Sequence, residues 1–417
     1  MSRSVTGTEE HRSLRCQQWR KLLLAGIVLL QKAVTLNKRL ILRIGLGVIV
    51  AGLIGFGAWI LSLPEAPIVE APPRVPQEET DATLAALKPP KRQRPLIAII
   101  GANAGTETTD YLMPYGILKR ADVADVMALA TEPGPVNLYP VFKVEPQATI
   151  ADFDTQHPDG ADFVLVPAMK RTDDPAVLTW IKAQHEKGAT VIAVCAGALV
   201  VANTGLLDGH RATTHWYYLG DLLEQHPSIQ YVRDRRIVVD RRVVTTTGIS
   251  ASMPLSLTLI EVIAGREKAE AMAQELGVRR WGIRHNSAVF KFTRPFALTA
   301  LNNKLAFWNH EELGLELKPG ADEVGLALVA DAWSRTFRSR AVTFARKLDA
   351  IETRGGLRIF PEQAATDWAA PRLLAPIGDR PPADALDEAL QQITIRYGID
   401  TSRFVAMQLE YTKQAAL

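Results

Sequence analysis

The chain is short of cysteine, with two in 417 residues, Cys16 and Cys195. So low a count excludes a scaffold built on disulfides. Charge of either sign is not concentrated. The formal net charge is +3, and much of the positive excess lies before residue 44. The remainder has no clustered basic face, so no nucleic-acid partner is expected. No set of histidines and carboxylates stands at a metal-ligand spacing. His185 and His210 read as surface residues on a helix and a turn. No metal and no other cofactor is therefore expected. Long apolar runs are scarce too, and one stretch alone is long enough to cross a bilayer. What is present is ordinary for a globular protein, 47% hydrophobic and 22% charged. The length suits two or three domains with a sizeable core.

Residues 1–43 are polar and basic, with a short apolar patch from Leu22 to Leu30. That patch cannot span a membrane and suits an interfacial helix. Residues 44–63 carry no charge. They would give about 30 Å of helix, one bilayer core. Trp59 sits where an interface would lie. Lys38, Arg39 and Arg43 precede the run, and Glu65, Glu70, Glu78, Glu79 and Asp81 follow it. The positive-inside bias predicts a single-pass protein of the inner (cytoplasmic) membrane. Its N-terminus would be cytoplasmic and its main domain periplasmic or extracellular. A long basic arm, a full-length span and Pro64 favour an uncleaved anchor over a signal peptide. The bilayer would then separate Cys16 from Cys195 and leave Cys195 a lone thiol. Gly47, Ala51 and Gly55 form a small-residue row of the kind that pairs membrane helices. Residues 64–95, rich in proline and charge, read as an extended tether with a helical turn at Ala82 to Leu87.

From Leu96 the pattern is α/β. Buried-type strands are predicted at Leu96–Gly101, Ala124–Ala130, Asp162–Pro167 and Thr190–Val194, with a hairpin-like edge at Val136–Val144. Helices are predicted at Tyr111–Arg120, Asp174–Lys187 and Ala198–Thr204. Later strands at Arg236–Val239 and Val243–Thr247 precede a helix at Ala251–Ala264. Apolar strands alternating with helices indicate a parallel sheet covered on both faces, closing a domain at 96–277. Such sheets bind ligands at the carboxyl ends of their strands, and Cys195 stands at one.

The C-terminal region, 278–417, reads as an α/β extension, either a degenerate half-repeat of what precedes it or no more than the loose likeness any α/β chain bears to itself. In that alignment Glu323–Ala330 parallels the strand at Leu96, and Ala341–Ala345 the strand at Ala124. Ile351–Pro361 parallels Val136–Pro146, and Arg372–Ile377 the strand ending at Pro167. Ala383–Tyr397 parallels the helix ending at Lys187. Arg403–Leu409 parallels the strand ending at Cys195, which puts Met407 near the thiol's place.

The chemistry concentrates at Cys195. A thiol in a strand-to-helix turn meets free backbone N–H groups that can hold a developing anion. Ala196 and Gly197 are candidates to supply them, and their small size admits a substrate to the backbone. The bland alternative is an inert core thiol.

The residues Ala193-Val194-Cys195-Ala196-Gly197-Ala198, Gly205-Leu206-Leu207-Asp208-Gly209 and Ala212-Thr213-Thr214-His215-Trp216 resemble the ThiJ/PfpI superfamily, the class I glutamine amidotransferase-like fold. The likeness is to the branch of isonitrile hydratases and of the amidase-like domains of GlxA-type regulators. It covers about residues 96–277 and implies a flavodoxin-like parallel-sheet sandwich, commonly a homodimer. It also implies an acid of the form acid-x-x-x-Pro beside the thiol, which Asp110 to Pro114 matches. Asp110 would then contact Cys195 and move a proton, with Glu107 as a competitor; the alternative for Asp110 is helix N-capping. His215 matches the family's histidine, either orienting or deprotonating the thiol or packing beside Trp216. Thr247 and Gly248 fall in the family's later Thr-Gly loop, which would line a pocket.

Two departures stand out. Ala196 replaces the hydroxyl or imidazole that many relatives carry after the cysteine, and Pro254 stands where an acid is usual. The expected function is a membrane-anchored cysteine-dependent hydrolase or hydratase acting on a small molecule. The alternatives are a thiol-based redox or reactive-carbonyl sensor, and a non-enzymatic binding domain. A GlxA-like transcription regulator ranks below these, since no basic recognition helix follows.

Overall fold

The computed structural model describes residues 40–412 except 69, 70, 90, 366 and 367. Cys16 and the apolar patch at 22–30 lie outside the described residues. The chain divides into two units, Met1–Leu63 and Pro64–Leu417. In the first, helix α1 (Leu40–Ser62) is long and apolar enough to cross a membrane. Its described part takes in four residues ahead of the uncharged run, Arg43 among them.

In the second unit, part of the supposed tether is folded. Helix α2 (Gln77–Ala86) is followed by Leu87, which is fully buried, and Glu79 pairs with Arg235 at 2.7 Å. Proline content marked the segment as extended, but Gln77–Leu87 holds no proline and can therefore complete a helix.

The α/β domain forms as the apolar runs dictate. Strand β1 (Leu96–Gly101) is buried at every residue because helices cover both faces of its sheet. It leads into helix α3 (Thr108–Ala121), strand β2 (Asp125–Ala130) and a hairpin of β3 (Val136–Tyr139) and β4 (Lys143–Glu145). Then come β5 (Ala148–Thr149), β6 (Phe163–Val166), α4 (Pro175–Glu186), β7 (Thr190–Ala193) and α5 (Gly197–Asn203). The antiparallel pair β8 (Ile237–Asp240) and β9 (Val243–Thr246) precedes α6 (Ser252–Ala264) and α7 (Arg266–Leu276). These strands make one seven-stranded sheet, ordered β8-β9-β7-β6-β1-β2-β5 and parallel except for β8. Cys195 follows the carboxyl end of β7, near the middle of the sheet.

The C-terminal region sets its first elements in the same order as the opening of this domain, with Ile351–Pro361 against Val136–Pro146 as read but the strand expected at Glu323–Ala330 displaced. Strand β10 (Glu311–Glu316) leads to helix α8 (Glu323–Ser334) and strand β11 (Ser339–Ala345). A hairpin of β12 (Ile351–Glu352) and β13 (Arg358–Ile359) and a short β14 (Gln363–Ala364) complete the echo. The parallel order β10-β11-β14 matches β1-β2-β5. The equivalent of β1 is therefore Glu311–Glu316. Glu323–Ala330, expected as that strand, is helix, because a continuous apolar run carries no period that tells buried helix from buried strand. Arg403–Leu409 is likewise not a strand. It falls on helix α10 (Ile399–Gln408) and its C-cap, after α9 (Pro382–Tyr397), so Met407 holds no thiol-like position. The expected strand at Arg372–Ile377 is reduced to a single bridge, Gly314 to Leu373. The hairpin at Ile351 and the helix ending at Tyr397 form as read.

Candidate functional site around Cys195

The backbone turns sharply at Cys195, which adopts φ +57°. A non-glycine residue there is strained and must be held by its surroundings. Two threonines hold it. The Cys195 N–H donates to Thr246 Oγ1 at 3.2 Å, and Thr214 Oγ1 donates to the Cys195 carbonyl at 3.0 Å. Thr246 Oγ1 in turn donates to the Thr247 carbonyl at 3.0 Å. One threonine from Thr213-Thr214 and one from Thr246-Thr247 thus brace the elbow. Gly197 is required by close packing, since a Cβ there would lie 2.0 Å from the Val166 carbonyl oxygen. The Gly197 N–H donates to Val194 O at 2.8 Å. The Ala196 N–H favours the thiol's anion, against the burial that raises it.

Helix α3 brings two carboxyls to this turn. Glu107 caps the helix. It accepts from the Asp110 N–H and Thr109 Oγ1, each at 2.7 Å, and from Arg335 at 2.9 Å. Asp110 is therefore free of capping duty. It is wholly buried, its Oδ2 accepts the Ala168 N–H at 3.2 Å, and its Oδ1 has no partner. With Oδ2 fixed as an acceptor, the proton of an un-ionised Asp110 belongs on Oδ1.

Burial, then the neighbouring Glu107 charge, pushes Asp110 well above the usual carboxylate range. Glu107 is raised to about 7 by burial and by Asp331, against the pull of Arg335. Burial also raises the Cys195 thiol, and Asp110 is the charge that adds most to the rise. Arg335 would be lowered by its own burial, but Asp331 and Glu107 beside it hold it firmly charged. Asp331 accepts from Arg335 at 2.7 Å. Burial thus favours the un-ionised forms of both Cys195 and Asp110, with one arginine shared by Glu107 and Asp331. Tyr139 and Tyr218 also feel the thiol's charge.

His215 turns elsewhere. Its Nε2 lies 2.8 Å from the Gln408 carbonyl, and its Nδ1 accepts the Tyr217 N–H at 3.2 Å. Both ring nitrogens are engaged by backbone, and burial lowers the ring to about 4, so it stays neutral. The loop of Thr247 and Gly248 is buried under the C-terminal segment. Glu410 accepts the Gly248 N–H at 2.8 Å and the Trp216 N–H at 2.6 Å. A Cβ on Gly248 would meet His215 and Glu410 within 2.8 Å. Among the described residues, no group of three or more His, Cys, Asp or Glu is placed to hold a metal ion.

The structure therefore gathers Cys195, Ala196, Gly197, Asp110 and Glu107 at one turn, and places His215, Thr247 and Gly248 against the last described turn. Thr214 and Thr246 could have been suspected from their motifs. Arg335 and Glu410 carried no sequence sign, because each reaches the site across more than 150 residues.

The sequence pattern of the DJ-1/PfpI family matches residues 96–262. An isonitrile hydratase of Pseudomonas putida is 31% identical over 171 residues, 40% of this chain and 72% of that protein. The Parkinson disease protein 7 homolog of Danio rerio is 27% identical over 177 residues, 41% of this chain and 92% of that one. The HTH-type transcriptional regulator CdhR of Pseudomonas aeruginosa is 31% identical over 110 residues, 26% of this chain and 32% of its own. Among solved structures, a ThiJ/PfpI family protein from Pseudomonas syringae superposes with a TM-score of 0.40 at 19% identity, covering 51% of this chain and 83% of that one.

Proposed function

The chain belongs to the DJ-1/PfpI family, and from that membership and the geometry at the elbow we propose that it is a membrane-anchored, cysteine-dependent hydratase or hydrolase of a small, uncharged molecule. The observation that carries this reading is the partnerless Oδ1 of buried Asp110, in the same pocket of charge as Cys195. A buried acid left without a partner is costly to stability and is commonly kept for chemistry.

In this reading Sγ of Cys195 forms a bond to an electrophilic carbon of the substrate. Asp110 gives its proton to the substrate's heteroatom and takes the thiol proton in return. The Ala196 N–H steadies the sulfur as its charge develops. Water then bonds to the same carbon, the carbon–sulfur bond breaks, and the sulfur leaves with a proton. The balance is addition of one water. His215 has no part in proton transfer. Burial that disfavours the Cys195 thiolate also counts against a peroxide sensor, which depends on thiolate.

Residues 44–63, all but the last of them in α1, serve as the anchor, with the N-terminus cytoplasmic and the catalytic unit on the periplasmic side. Purified full-length protein assayed against a panel of small electrophiles, an isonitrile among them, tests the chemistry. Turnover should vanish in Cys195→Ser and fall about 10²–10⁴-fold in Asp110→Asn. Full turnover in Cys195→Ser would end this reading. For the anchor, the protein should resist alkaline carbonate extraction, and external protease should digest the main unit in spheroplasts.

A further inference from the structure

The two related segments, 96–149 and 311–364, correspond without insertion or deletion. Leu96 and Glu311 open equivalent strands, as do Val136 and Ile351, Lys143 and Arg358, and Ala148 and Gln363; each pair is 215 positions apart, as 311 is from 96. Helices α3 and α8 begin at Thr108 and Glu323, at the same interval. Local hydrogen bonds repeat as well. Leu138 N–H donates to Phe142 O at 2.9 Å, and Thr353 N–H to Leu357 O at 2.8 Å. Gln147 N–H donates to Ala128 O at 2.8 Å, and Glu362 N–H to Thr343 O at 3.0 Å. Few residues are shared, but Arg120 and Arg335 are an equivalent and identical pair.

Contacts between the segments are reciprocal. Arg335 of the second pairs with Glu107 of the first at 2.9 Å, and Arg120 of the first pairs with Asp322 of the second at 2.5 Å. Asp322 is the counterpart of Glu107, and each caps its helix. Strands β4 and β13 join antiparallel with Val144 directly opposite Ile359, its own counterpart. Glu145 faces Arg358, and the Phe360 N–H donates to Lys143 O at 2.8 Å. A contact of i with the mate of j, matched by one of j with the mate of i, defines a two-fold isologous interface.

We propose that residues 311–364 are a degenerate second copy that fills, within one chain, the place of an identical subunit across a local two-fold axis, and that lends Arg335 to the thiol site as a positioning residue. The second copy bears no site of its own. Gly325 stands where Asp110 stands in the first, and helices α9 and α10 follow where the first copy continues to β6 and β7. At the place related to the thiol site, Arg120, Lys318, Gly320, Asp322 and Arg354 line a cavity of about 400 Å³. The arrangement is independent of the reaction assigned to Cys195.

The test uses the full chain in nanodiscs, made as an equimolar mixture of light and heavy isotope forms and treated with a short amine–carboxyl cross-linker. Links between 96–149 and 311–364 should each carry one isotope form. Mixed-isotope links, or no links between these segments, would overturn the proposal. Arg335 is tested by iodoacetamide alkylation of Cys195 against pH. The groups acting there are Glu107, Asp110, Tyr139, Tyr218, Arg335 and Glu410, with Asp331 beyond them. Arg335→Ala should slow alkylation about tenfold at fixed pH, one pH unit, with Arg335→Lys near the parent. Arg120→Ala should leave the profile in place. An equal shift in both alanine variants would refute the positioning role.

Discussion

Glu410 accepts the backbone N–H of Gly248 at 2.8 Å across 162 residues of chain. The same carboxyl takes the Trp216 N–H, so one side chain ties the last described turn to both loops that brace Cys195. Burial raises Glu410 from 4.5 to about 7. The folded state therefore binds this proton more tightly than the unfolded state. Its contribution is full below about pH 4.5 and is lost as pH rises through about 7, roughly 3 kcal/mol in all. Glu410→Gln should flatten the fall in stability over that window, read from urea midpoints at pH 5 to 8. His215 works in the opposite sense, since its lowered ring contributes above about 6.5 and is lost as pH falls through about 4. A pH slope identical in parent and variant would show that Glu410 does not carry it.

The elbow depends on the absence of a side chain at residue 197. Gly197→Ala places a methyl into the Val166 carbonyl and must push the β6 and β7 strand ends apart. We expect a loss of about 1–3 kcal/mol or more. Thermal unfolding would register it as a lower Tm, and an unchanged Tm would contradict the packing described.

Thr246→Val keeps the shape but removes the acceptor of the Cys195 N–H. A buried donor left unpaired costs about 1–3 kcal/mol. Because that bond holds the positive-φ residue, iodoacetamide should also reach Cys195 faster in this variant. Thr258→Val, whose hydroxyl bonds only within its own helix, serves as the control and should leave alkylation unaltered.

Hydrogen peroxide separates a neutral thiol from a thiolate sensor. Intact-mass spectra after mild treatment at pH 7 should show little oxygen added at Cys195. Arg335→Ala should not speed the addition, since loss of the positive charge raises the thiol further. Rapid gain of two oxygens by the parent would favour the sensor.

The sequence revealed the parts of this fold that chemistry states locally. Strands β1, β6 and β7 were legible because short β-branched apolar runs bounded by Gly, Pro or Cys have few other uses. Cys195 stood out as a thiol at a strand end with small neighbours. The start of α8 was misread because Val324 to Ala330 is apolar throughout, and the strand before it, Glu311–Glu316, carries three glutamates. Its burial pattern explains them, since Leu313, Gly314 and Leu315 are buried while Glu312 and Glu316 are exposed. Arg335 was invisible for another reason. An arginine becomes part of a site only when a long-range pairing, here α3 against α8, brings it there.

The joining of both copies in one chain has a genetic consequence. In an assembly of identical subunits every substitution is made twice, and the interface must tolerate both at once. Here a codon change falls on one side alone. The half without the thiol can exchange an acid for Gly325 while the half that keeps Asp110 is untouched. Such a molecule can refine the face that bears the thiol and let the other drift toward pure support.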